Sequence, residues 1–142
     1  MTEIVLPNHA NVHGNILGGR VMHLIDLAAA MAASRHSRRQ SVTASVDSLV
    51  FLHPIKIGEL VLLEANVCRA FHTSMEVEVE VFSEDLRTGD RLQTSTAFLT
   101  FVALDAGGNP CEVPPIRPQT AADRLRFEGA LERRKQRLQG QS

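Results

Sequence analysis

Asp26 is the one carboxylate in a long apolar run. It lies in "HANVHGNILGGRVMHLIDLAAAMAA", residues 9–33, whose second half is otherwise almost wholly apolar. An unpaired carboxylate among apolar side chains costs several kcal/mol, as a rough guide, unless it is partnered or neutralised. Three readings are open. A carboxylate on a partly apolar helix face holds its proton more tightly than a free one, which makes it a better general base for activating water. It can instead attack a carbonyl directly and form a short-lived anhydride. Or it is structural, paired with His23 three residues earlier on the same helix face.

The segment just before it is polar and glycine-rich. Asn11 and Asn15 each offer an amide that donates and accepts, able to orient a water or to serve only the local turn. Gly18 and Gly19 open the helix. Without a Cβ they let a ligand approach the backbone, and amides at a helix start are unpaired. One of them, Gly19 first, can hold a developing oxyanion. No Lys follows in the pattern of a phosphate loop. His9 and His13 are four apart, as some zinc ligands are, but no third ligand accompanies them, and no metal is expected. Cys68 and Cys111 match neither a zinc pattern nor a disulfide framework, and read as free thiols in a reducing compartment.

These residues need elements to position them. Residues 3–6 read as a short strand stopped at Pro7, and 9–19 as loop. A helix runs from Gly18-Gly19 to about His36, apolar on almost every face from 21 to 33, so other structure must wrap it. Its end, "SRHSRR", carries cations suited to a helix C-terminus. From Ser41 the period changes to two. In "SVTASVDSLVFL", Val42, Ala44 and Val46 alternate with Thr43, Ser45 and Asp47. "LVLLEANVCRAF", "MEVEVEVF" and "RLQTSTAFLTFVAL" follow as strands joined by short turns, so they pair antiparallel. In the third strand Met75, Val77, Val79 and Val81 face one way, and Glu76, Glu78 and Glu80 form a solvated face. "VPPIRP" is a stiff linker to a charged helix within residues 119–138, with a thin stripe of Leu125, Leu131 and Leu138 that docks it loosely. The fold class is therefore α+β: a curled antiparallel sheet around a long central helix, plus a C-terminal helix. The domain boundaries are 1–118 for the body and 119–142 for the charged helix and tail. The exposed remainder of the central helix calls for a cover, most simply a second copy.

With 15 basic and 16 acidic residues the formal charge is −1, which argues against a nucleic-acid or membrane-surface role. No apolar run reaches the ~18 residues of a membrane span. The N-terminal residues have no basic stretch leading into an apolar run, so a cytoplasmic location is expected.

In combination, four segments resemble the hotdog-fold acyl-CoA thioesterases, the branch of bacterial short- and medium-chain and vertebrate cytosolic acyl-CoA hydrolases. They are "ANVHGNILGGRVMHLID" (10–26), "FLHPIKIGE" (51–59), "HTSMEVEVEVFSEDLRTGD" (72–90) and "EVPPIRP" (112–118). The resemblance implies a hotdog fold and a homodimer with one continuous sheet, commonly a trimer of dimers. It implies hydrolysis of acyl-CoA to free acid and CoA, with no bound cofactor and CoA present only as part of the substrate. The family's acid matches Asp26 and its asparagine matches Asn11, with Asn15 nearby. In tandem-domain relatives the two can be divided between domains; this chain holds both, so a homodimer could build two equivalent sites. Asn15, Gly18 and the turn His72-Thr73-Ser74 are the implied substrate contacts. Arg69, Lys56 and Arg38 are cations of the kind that hold CoA phosphates, with solvated surface charge as their plain reading. The rival functions are a non-catalytic acyl-CoA sensor and a hotdog thioesterase for carrier-protein-bound or aryl thioesters.

Overall fold

The computed structural model describes residues 1–140, with Ser48 through its backbone alone; Gln141 and Ser142, the end of the expected tail, lie outside the described residues. The elements are β1 (Thr2–Ile4), a 3-10 turn (Pro7–His9), α1 (Gly18–Ser37), β2 (Gln40–Phe51), β3 (Leu60–Ala70), β4 (Ser74–Glu84), β5 (Arg91–Leu104) and α2 (Ala121–Gly140). The strands form one antiparallel sheet in the order β1-β3-β4-β5-β2. The sheet curls around α1, which packs on four of its strands. This is the expected hotdog arrangement.

The core lies between α1 and the inner sheet face. Met75, Val77, Val79 and Val81 of β4 are fully buried, as the period-two reading requires. Opposite them stand Leu24, Ile25, Ala28, Ala29 and Ala33 of α1. The alanines let the helix approach the sheet closely, and each buried Leu or Ile contributes about 1.5–3 kcal/mol. The helix stops where Arg38 turns left-handed at φ 57°, its N–H bonding the Ser34 carbonyl. Its outer stripe stays bare, with Leu27 and Met31 exposed.

Three expectations are corrected. The Glu76/Glu78/Glu80 row is not a wet face, because α2 lies across it. Arg133 chelates Glu76 through Nε and Nη2, Arg137 reaches both Glu76 and Asp47, and Arg126 reaches Glu78 and Glu80. Arg133 also stacks on the Phe98 ring and Arg134 on Phe71. Glu76 is fully buried as a result. Nor does a leucine stripe dock α2: Leu125 and Leu138 are exposed, and the one buried residue is Ala130.

The third correction concerns β2. Strict alternation would set Thr43 on the solvated face with Ser45 and Asp47. The register instead places Thr43 opposite Phe101, a core residue, so it faces α1. Two register shifts, between Thr43 and Ser45 and between Val46 and Leu49, break the alternation, because each extra residue flips the rest of the strand to the other face. At the sheet edge β2 leaves Val42, Val46, Val50 and Phe51 exposed.

Candidate active site

Asp26 sits midway along α1, half-buried on the flank that faces β2. Its Oδ1 accepts a 2.6 Å hydrogen bond from the Thr43 hydroxyl. The expected structural alternative, a pair with His23, is not formed, and among the described residues Asp26 has no ion pair. Thr43 is the partner of Asp26 that pattern reading missed. Asp26 therefore keeps its second oxygen uncommitted while the first is held in a fixed direction.

The loop residues gather elsewhere. Asn11, Asn15 and Gly18 line a cleft of about 320 Å³ with Ile16, Val21 and residues 51–55. The Asn11 side chain serves its own loop, since Oδ1 accepts from the His13 and Asn15 amides at 2.9 and 3.2 Å. This commits the oxygen to the loop, and the NH2 group has no partner among the described residues. Asn15 is tied to Lys56 by an isolated bridge, and the Lys56 amide is bound by Glu59. At the helix start Leu17 supplies no side-chain cap. The Gly18 and Gly19 amides have no acceptor among the described residues. The space above Gly19 is open, as a Cβ there would meet nothing within 4 Å. Unpaired N–H groups at a helix start suit an anion or an oxyanion.

Within one chain the acid and this cleft stay apart. Gly18 and Asp26 are eight residues apart on α1, about 12 Å along its axis. The remaining expected contacts are placed elsewhere again. The His72-Thr73-Ser74 turn anchors its neighbours: the carbonyls of His72 and Thr73 accept from the Val113 and Ala103 amides. The Ser74 hydroxyl accepts from Arg134 on the outer sheet face. Arg69 is committed to α2, donating to the Phe127 carbonyl and stacking on its ring. Burial, with Glu76 and Glu78 nearby, pushes the Cys68 thiol far up, so it is inert as a nucleophile. Among the described residues no cluster of His, Cys, Asp and Glu could hold a metal ion, and no helix is long and apolar enough to cross a membrane.

Comparison with known proteins gives this geometry its context. A family model described as Thioesterase superfamily matches residues 13–89. The uncharacterized acyl-CoA thioester hydrolase YkhA of Bacillus subtilis is 43% identical over 136 residues, covering 96% of this chain and 79% of its own. A solved apo-hexameric acyl-CoA thioesterase superimposes with a TM-score of 0.97 at 40% identity, covering 100% of this chain and 91% of that one. An acyl-CoA hydrolase from Staphylococcus aureus, solved with butyryl-CoA, CoA and CoA disulfide, gives 0.91 at 37% identity, with 99% and 88% covered. That hydrolase has also been solved as three alanine variants, at an aspartate, an asparagine and a threonine.

Proposed function

This chain belongs to the thioesterase superfamily, among its hotdog-fold acyl-CoA thioester hydrolases, and from that premise we propose that Asp26, Thr43, Asn11 and Gly19 together hydrolyse acyl-CoA to a free acid and CoA. The observation that carries the reading is the Thr43–Asp26 hydrogen bond, which orients a carboxylate that no cation among the described residues neutralises. Asp26 takes a proton from water as general base. The water oxygen bonds to the thioester carbonyl carbon, the oxyanion that forms is held by the Gly19 amide, and collapse breaks the C–S bond. The proton on Asp26 returns to the departing sulfur. Asn11 orients the water through its free NH2 group. Direct attack by Asp26 and hydrolysis of the resulting anhydride yields the same products.

The spacing in the Staphylococcus relative supports these roles. Its substituted asparagine, aspartate and threonine are separated by fifteen and then seventeen residues, as Asn11, Asp26 and Thr43 are. The separation of the Asn11 cleft from Asp26 within one chain supports a site completed between two copies, with Asn11 and Gly19 from one protomer and Asp26 and Thr43 from the other. The long exposed edge of β2, with Val42, Val46 and Val50 bare, is a strand edge that needs a partner. A second β2 would continue the sheet. By analogy with the hexameric relative, three such dimers make the assembly.

Thiol release measured across a panel of acyl-CoA lengths tests the activity. The divided site is tested by mixing two inactive variants, Asn11→Ala and Asp26→Asn. Chains refolded together should recover about a quarter of wild-type turnover, because a dimer that pairs one of each keeps one intact site. No recovery from the mixture would place both residues in a single chain's site. Thioesters that bind but survive for hours on wild type would make the protein a sensor.

A further inference from the structure

The cleft at the start of α1 is lined by residues of unlike chemistry. Asn11, Asn15 and Gly18 give it a polar wall, and Ile16, Val21, Phe51 and Ile55 an apolar one. The proposed roles of Asn11 and Gly19 draw on the polar wall alone. Within the apolar wall Val21 and Ile55 are fixed in the core, at 1% and 3% exposure. Phe51 differs. It is the last residue of β2, and its ring is half exposed. The ring edge lies 3.9 Å from where a Cβ on Gly18 would stand. Phe51 also belongs to the strand edge assigned above to the second copy, so its ring stands at the seam where the site is completed.

The neighbour of Phe51 in the sheet is unusual too. Ser95 of β5 pairs with Phe51 on one side and with the core residue Val81 on the other. It continues the inward series of Ala97, Leu99 and Phe101, so its side chain is on the inner face. Ser95 is 1% exposed, and its Oγ has no hydrogen-bond partner among the described residues. An unpaired buried hydroxyl is a poor neighbour for an aliphatic chain. The ring and this hydroxyl together mark where the apolar wall stops. We propose that Phe51 sets how long an acyl chain the cleft accepts, an inference that rests on the hydrolase reading. With the thioester oxygen at the Gly19 amide, the acyl chain runs along Val21 and Ile55 and ends at the ring. Each methylene that finds a place there leaves water, which raises kcat/KM about fourfold. The first one past the ring gains nothing. The volume of about 320 Å³ is at the small end for ligand clefts, as a closed wall requires.

Straight-chain esters from acetyl-CoA to palmitoyl-CoA are compared by kcat/KM on the full-length wild-type oligomer and on Phe51→Ala, Phe51→Leu and Phe51→Trp. Each profile should climb with length and then break. The break should move toward longer chains by about two carbons or more in Phe51→Ala, by less in Phe51→Leu, and toward shorter chains in Phe51→Trp. An unmoved break throughout the series overturns the proposal. So does an equal loss on every ester, which would make the ring a packing residue alone. Should Phe51→Ala fail to fold, the leucine and tryptophan variants decide by the same opposed shifts. S-alkyl-CoA thioethers of the same lengths lack the carbonyl and cannot be hydrolysed. Titrated calorimetrically, they should show the break in affinity and the same shifts. Should wild type cleave no ester, the hydrolase reading fails, while the thioether series still decides the role of Phe51.

Discussion

Two helices of equal length, α1 and α2, dock on opposite faces of one sheet by opposite means. α1 uses alanines, leucine and isoleucine against a valine floor, and the one acid on its β2 flank is bound only by a hydroxyl. α2 buries a single alanine and is held by arginines seated on glutamates and phenylalanine rings. The apolar seat is indifferent to salt and pH near neutrality. The ionic seat is weakened by salt. The contrast also explains why Asp26 stands out: the molecule pairs its acids generously on the outer face, while this one has no cation partner among the described residues.

The largest expected effect tests the inner helix. Asp26→Asn should lower kcat by about 10²–10⁴-fold while thermal unfolding and oligomer size stay near wild type, read by thiol release, calorimetry and light scattering. Loss of the oligomer instead would make Asp26 structural. Next comes the outer helix. Glu76→Gln leaves Arg133 and Arg137 facing a neutral amide, and should cost about 2 kcal/mol, less than a sealed pair because both arginines reach water. Its melting temperature should fall by several degrees, and 1 M salt, which shortens screening to about 3 Å, should narrow the gap between variant and wild type. A variant equally destabilised at all salt concentrations would show that the seat is packing rather than charge. Thr43→Val then removes one hydrogen bond to a charged group, worth about 1.5 kcal/mol, and should lower kcat roughly tenfold with KM little changed.

The smallest effect concerns Glu80. Burial, with Glu78 beside it, holds its carboxyl above the usual range, although Arg126 opposes this. Its folded-state pKa therefore exceeds its unfolded one, and ionising it as pH rises lowers stability. Glu80→Gln should stabilise the protein by a few tenths of a kcal/mol at pH 7, a gain that disappears below about pH 4.5, where the wild-type group is protonated in both states. Denaturant melts at the two pH values measure it.

What could be read in advance divides along the same line. Met75, Val77, Val79 and Val81 were legible because a period of two is a local signal, and α1 because its apolar run is contiguous. The loop cleft of Asn11, Asn15 and Gly18 was legible from glycine and asparagine chemistry. The seat of α2 was not, because Arg133 and Glu76 are 57 residues apart and either one alone resembles surface charge. Thr43 was hidden by the register shifts of β2, which a one-dimensional alternation cannot register.

The strap that leads to α2 has one more consequence. The Cys111 and Val113 amides bond to the carbonyls of Ala103 and His72, and Pro114 accepts from His36, so the chain is pinned until just before the helix. A helix released by salt would remain on a leash of about six residues, at a local concentration in the millimolar range or above. Its release should therefore be rapid, fully reversible and independent of protein concentration, whereas parting two copies at β2 would follow mass action.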